Sequence, residues 1–146
     1  MKLDPYKHEE RYFNWKVKIG DSIPNLSESN SKLILHYLND MERGINISNV
    51  SIKGSRSYGR LDSLKNRLIF FAKKFNELFD LNDLTQVTEE QILSFFAYMK
   101  NGTIMREDGK PYQSVETYGK IFKAFWHWHM KVNKKNGDEI LDITED

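Results

Sequence analysis

Basic side chains recur at every seventh position over one stretch of this chain: Arg60, Arg67 and Lys74. At 100° per residue, a helix gathers such residues into one lengthwise stripe, and Ser63 falls close to it. A second set, Lys120, Lys123, His127 and Lys131 with Lys134 beyond, shares one helical face on which Glu116 is the only acid. An ordinary solvated helix mixes both signs, because opposite charges at i and i+4 stabilise it slightly. Rows of cations without interleaved carboxylates are suited instead to the phosphates of a polyanion. Lys53 and Arg56 belong to the same basic block as the first stripe. The candidate DNA-binding residues are therefore Lys53, Arg56, Arg60, Arg67, Lys74, Lys120, Lys123, His127 and Lys131.

Other chemistries find less support. His127-Trp128-His129 invites a metal, but residues two apart on a helix point to different sides and no acid or cysteine completes a ligand set. Gly54 and Gly59 have the glycine spacing of a phosphate-binding loop, yet Arg60-Leu61 stands where Lys and Ser or Thr are required. Phe122, Phe125, Trp126 and Trp128 could stack on bases, as single-strand binders do; their helical spacing fits a core better. No nucleophile is paired with a base, so no catalytic residues are assigned, and no cofactor or metal is expected.

The net charge of +1 conceals segregation along the chain. Residues 53 to 74 hold seven bases against Asp62 alone, residues 75 to 109 sum to −5, residues 110 to 135 to +5, and residues 136 to 146 to −5. One-signed blocks are what a polyanion-binding surface needs, though a solvated surface can also carry them. With 146 residues, 39% hydrophobic, the chain can bury one ordinary core. Without cysteine, a secretory signal or an apolar run of membrane length, it reads as a cytoplasmic protein with no membrane partner.

The elements that must position these cations are helices. Asp4-Pro5 signals a helix start, with Tyr6, Phe13 and Val17 near a helical period before Gly20. Serines around Pro24 can cap a helix from about Asn30 to Arg43, whose core stripe is Ile34, Leu35, Leu38 and Met41 and whose end is marked by Gly44. Residues 45 to 55 form a polar loop. The most regular pattern spans about Ser57 to Phe79, where Leu61, Leu64, Leu68, Phe71, Ala72, Phe75, Leu78 and Phe79 share one arc. Thr88 and Gln91 form a capping box for a helix through Met99, which Gly102 ends. Asp108-Gly109 offers a type I′ turn within a small β-hairpin or an irregular loop. Ser114 then caps a helix to about Asn133 that buries Tyr118, Ile121, Phe122, Phe125, Trp128 and Val132.

From Leu26 to Lys135 the chain resembles the N-terminal core-binding domain of tyrosine recombinases, in particular archaeal phage-integrase-like proteins. The likeness rests on the helix from Leu33-Ile34-Leu35 to Gly44, on Lys53-Gly54-Ser55-Arg56-Ser57-Tyr58, and above all on Ser114 through Phe122-Lys123-Ala124-Phe125-Trp126-His127-Trp128. The resemblance implies an all-α, SAM-like bundle of four main helices; to it the residues themselves add a short N-terminal helix or arm and, before the last helix, a small hairpin or an irregular loop. It also implies one jaw of a clamp, with two helices laid in the major groove, so that double-stranded DNA is the partner and site-specific integration or recombination the setting. Other recombinase protomers on the DNA would be further partners.

On this reading residues 1–26 are an N-terminal arm or short helix, 27–135 the DNA-binding domain, and 136–146 an acidic linker toward an absent C-terminal catalytic domain. The family's catalytic residues lie in that domain; His8-Glu9-Glu10-Arg11 spells its His-x-x-Arg box but stands ahead of the bundle. The chain by itself is not expected to be an enzyme. The alternative is a helical protein-interaction module: a continuous positive face would favour DNA, an exposed apolar patch a protein.

Overall fold

A computed structural model describes residues 7–44 and 57–144. They form five helices, α1 (His8–Ile19), α2 (Glu28–Glu42), α3 (Tyr58–Phe79), α4 (Glu89–Lys100) and α5 (Val115–Lys135), with a 3-10 turn at Leu84–Gln86. The described residues are all-α: they contain no strand, only an isolated antiparallel bridge between Met105 and Pro111. None of the described helices is long and apolar enough to cross a membrane. Asp4, Pro5, Tyr6, Lys53, Arg56 and the loop of 45–55 lie outside the described residues.

Hydroxyl side chains start three helices by accepting an orphan N–H of the first turn. Ser27 Oγ accepts from Asn30 N at 3.1 Å, Ser57 Oγ from Arg60 N at 3.2 Å and Thr88 Oγ1 from Gln91 N at 3.1 Å. At α4 the box closes, because Gln91 Oε1 accepts from Thr88 N at 3.0 Å. Ser114 departs from expectation. It lies in the left-handed region at φ 56° and caps nothing with its side chain, so α5 starts from a backbone turn in which Thr117 N donates to Ser114 O at 2.9 Å.

The chain divides into two compact units, one ending at Leu84 and the other beginning at Thr85. In the first, α1 and α2 both pack on α3. Leu61, Leu64, Leu68, Phe71, Ala72 and Phe75 of α3 are buried, as are Ile34, Tyr37, Leu38 and Met41 of α2, each large side chain contributing about 1.5–3 kcal/mol. Leu78 leaves the expected arc and is exposed, because α3 ends one residue later with Asp80 in the left-handed conformation. The buried face of α1 also differs from expectation. Phe13 and Val17 are 41% and 83% exposed, while Tyr12 is fully buried, its ring 6.1 Å from those of Trp15 and Tyr58. Burial pushes the Tyr12 hydroxyl well above the usual tyrosine range, and the Glu42 carboxylate adds to the effect. Lys16 clamps α1 to α2 through both Glu42 oxygens, at 2.9 and 3.0 Å, and Asn39 Oδ1 at 2.9 Å.

Two buried polar side chains in the first turn of α2 tie down the flanking chain. Ser31 Oγ accepts from Ile23 N at 3.0 Å, and Asn30 Oδ1 accepts from Leu84 N at 2.8 Å. Both acceptors satisfy backbone donors that would otherwise be orphaned in an apolar setting.

The second unit pairs α4 with α5. Ile92, Phe95 and Met99 of α4 are buried, as are Ile121, Phe122, Phe125, Trp126 and Trp128 of α5. Between the helices Gly109 has φ 80° while Asp108 does not have positive φ. A type I′ turn needs positive φ at both central residues. The chain instead makes a type I turn, with Gly109 N donating to Arg106 O and Arg106 N to Lys110 O, each at 2.9 Å, and Gly109 takes the left-handed position that follows such a turn.

Replacing Asn30 by Leu should leave the Leu84 N–H buried without an acceptor and cost about 1–3 kcal/mol. Urea denaturation of the variant measures this. An unchanged midpoint would show that the Asn30–Leu84 bond carries no stability.

Candidate nucleic-acid interface

Helix α3 carries two acids, Asp62 in its first half and Glu77 near its end. Asp62 is taken up by Lys65, whose Nζ lies 2.8 Å from Oδ1 and 4.9 Å from the Trp15 ring centroid. Lys65 is thereby committed to the fold. Arg60 is exposed in the first turn, where no ion pair engages it among the described residues. Arg67 is half-buried and donates from Nη1 to Ser63 Oγ at 3.0 Å, and Lys74 Nζ meets Glu77 Oε2 at 3.2 Å. An exposed pair of this kind is worth little and is exchangeable, but it means that the lower end of the stripe is not bare of acid. Lys73, which the seven-residue spacing does not pick out, is exposed beside it.

On α5 the geometry separates candidates that the sequence groups together. Lys120 and Lys123 are exposed and enter no ion pair among the described residues. Lys131 is half-buried. His127 does not stand among lysines alone, because its Nε2 lies 2.9 Å from Asp142 Oδ2. The acid that the α5 sequence lacks comes from the segment after it. His129 turns elsewhere, to the Trp126 ring at 5.1 Å and Asn133 Nδ2 at 3.1 Å, so the two histidines share no ligand.

That segment is held to α5 by hydrogen bonds beside the His127–Asp142 contact and is braced by a turn of its own. The chain leaves α5 through Gly137, at φ 88°, and Asp138 N donates to Asn133 O at 2.8 Å. Trp126 Nε1 donates to Leu141 O at 3.0 Å. Asp142 Oδ1 accepts from Thr144 N at 2.9 Å and Thr144 Oγ1 at 2.6 Å. Residues 136–146, read from sequence as a linker, thus pack back on α5 as far as Thr144. Burial raises the Asp142 carboxyl, but the Thr144 N–H and O–H bonds and the His127 partner outweigh it and hold the group below the usual aspartate value.

Lys100 of α4 joins Lys120 and Lys123 around a groove between α4 and α5. It is not legible as a member of this set because it sits in an acidic stretch of sequence, and only helix packing brings it there. No family model, curated protein or solved structure matches the chain.

Because the folded Asp142 value is depressed, its contribution to tail docking is fully present above the ordinary aspartate pKa of about 4. It is lost as pH falls through the lower folded value. Asp142→Asn should therefore loosen Leu141–Thr144 at neutral pH, seen as faster amide exchange and altered Trp126 fluorescence, and the difference from wild type should vanish at the acid end. A variant indistinguishable from wild type at pH 7 would show that the Asp142 charge does not hold the segment.

Proposed function

We propose that the chain is a duplex-DNA-binding module of the kind that tyrosine recombinases use as their core-binding domain, contacting phosphates through the cationic faces of α3 and α5. The observation that carries the reading is the pair Lys120 and Lys123, both exposed and held in no ion pair among the described residues. Arg60 and Lys73 give α3 the same character. Cations already committed to carboxylates would have to break those pairs before meeting phosphate; these need not. Helical spacing also suits the task, since a straight helix with one basic face fits the major groove and spans several phosphates. The resemblance of the α5 sequence to the last helix of that domain supports the same assignment. Integration or recombination as the setting rests on the resemblance alone.

Contacts to phosphate carry affinity but no base sequence. The expected behaviour is binding at micromolar Kd or weaker, with about a hundredfold loss between 50 and 200 mM salt if about four phosphates are neutralised. Changing Lys120 and Lys123 together to Ala should lower the salt slope by about 2, with the melting temperature unmoved because both side chains are exposed. Arg11 and Lys18 of α1, also exposed, serve as the control pair. Fluorescence anisotropy on one duplex at both salt concentrations makes the measurement. Salt-insensitive binding, or equal loss from the control pair, would remove α5 from the interface.

A further inference from the structure

Lys120 and Lys123 are not only a basic face; they also stand over the groove between α4 and α5, about 510 Å³ in volume. The groove has an apolar floor. Ile92 and Phe122 are buried beneath it, Phe96 is half-buried in its wall, and Leu93 stands at its edge with 62% of its surface exposed. A lone surface leucine is ordinary, but this one is continuous with an apolar surface ringed by Lys100, Lys120 and Lys123 and opposed, among the described residues, by the single carboxylate of Glu116.

Gly119 supplies an independent observation. It lines the same groove from within α5, where glycine is destabilising relative to alanine. Its φ is not positive, so the backbone does not demand glycine. A Cβ built there would meet no atom within 4 Å beyond its own stretch of helix among the described residues, so packing does not demand it either. The missing side chain leaves the groove open where another backbone can come close. The tail shows the matching chemistry in miniature: Ile143 and Thr144 line one end of the groove, and in sequence Ile143 is flanked by Asp142 and by Glu145-Asp146.

We propose that this groove docks an acidic amphipathic segment of a partner protein. Its apolar side chains seat against Leu93 and Phe96, its carboxylates meet Lys100, Lys120 and Lys123, and its backbone passes over Gly119. A nucleic-acid backbone presents charged phosphates and small sugars but no projecting apolar side chain to fill that floor, which is why a peptide is the better occupant; the mode is that of a helix laid in a groove. The proposal does not rest on duplex binding. Because Lys120 and Lys123 serve both ligands, peptide and DNA should exclude each other on α5.

The test uses the full chain and a fluorescein-labelled peptide about twelve residues long, with Leu and Phe at helical spacing and Glu and Asp elsewhere. Saturable anisotropy is expected, with no binding by the same peptide carrying Lys in place of the acids. Gly119→Ala and Leu93→Asp should each weaken binding by about tenfold or more. Gly119→Ala should at the same time raise the melting temperature by about 2–4 °C, which separates loss of docking from loss of fold. Absence of saturable binding, or binding that both substitutions leave unchanged, overturns the proposal. If the two substitutions weaken duplex DNA and not the peptide, the groove belongs to nucleic acid and the proposal also fails. If DNA binds nowhere while the peptide behaves as expected, docking stands and only the duplex reading falls.

Discussion

A buried indole N–H needs an acceptor, and in α5 the Trp126 donor finds it in the Leu141 carbonyl. Leaving that donor unpaired would cost about as much as several surface contacts return. The bond therefore draws the polypeptide back along the helix it has just left. Much of the second unit's surface follows from that return. Asp142 arrives beside His127, Thr144 folds onto Asp142, and Ile143 reaches the end of the groove. Trp126 also stacks on Phe122 at 6.1 Å, so one side chain joins the aromatic core to the chain that covers it.

The same return redistributes charge. On sequence, α5 has a basic face and the residues after it form an acidic block; in the fold the two are neighbours. Lysines near the start of α5 keep their charge open to solvent, while the middle of the face at His127 is shared with an acid. On α3 the order is similar, with Arg60 open in the first turn and Lys74 engaged by Glu77 near the last. In each helix the open cations of the candidate set lie toward the N-terminal end.

Helices were legible where local chemistry and periodicity agreed. Ser27, Ser57 and Thr88 cap where hydroxyls precede apolar periods, and the α3 stripe from Leu61 to Phe75 is buried as its spacing demands. Reading failed where a tertiary neighbour decided the outcome. Tyr12 rather than Phe13 or Val17 is buried because α1 lies on α3 and Lys16 is fixed by Glu42, a partner 26 residues away that no periodicity reveals. Ser114 looked like a cap by residue type, yet its left-handed backbone turns the side chain from the task. The basic rows of the candidate interface were legible as rows. Their partners were not, since Asp142 and Lys100 reach α5 only through the return of the tail and the packing of α4.

The hydrogen bond from Leu84 N to Asn30 Oδ1 joins residues 54 apart, and Ser27 Oγ reaches Asn82 O across 55. The start of α2 is therefore completed by chain that comes after α3. Closing so long a loop has an entropic cost that only subsequent contacts recover, and contacts of high sequence separation slow folding relative to helix formation itself. During synthesis, α2 and most of α3 can be made and can begin to coil while the acceptor on Asn30 still has no donor. The first unit reaches its final hydrogen bonding only after Leu84 has been added, which ties the maturation of the N-terminal helices to the arrival of a segment that lies outside all of the described α-helices.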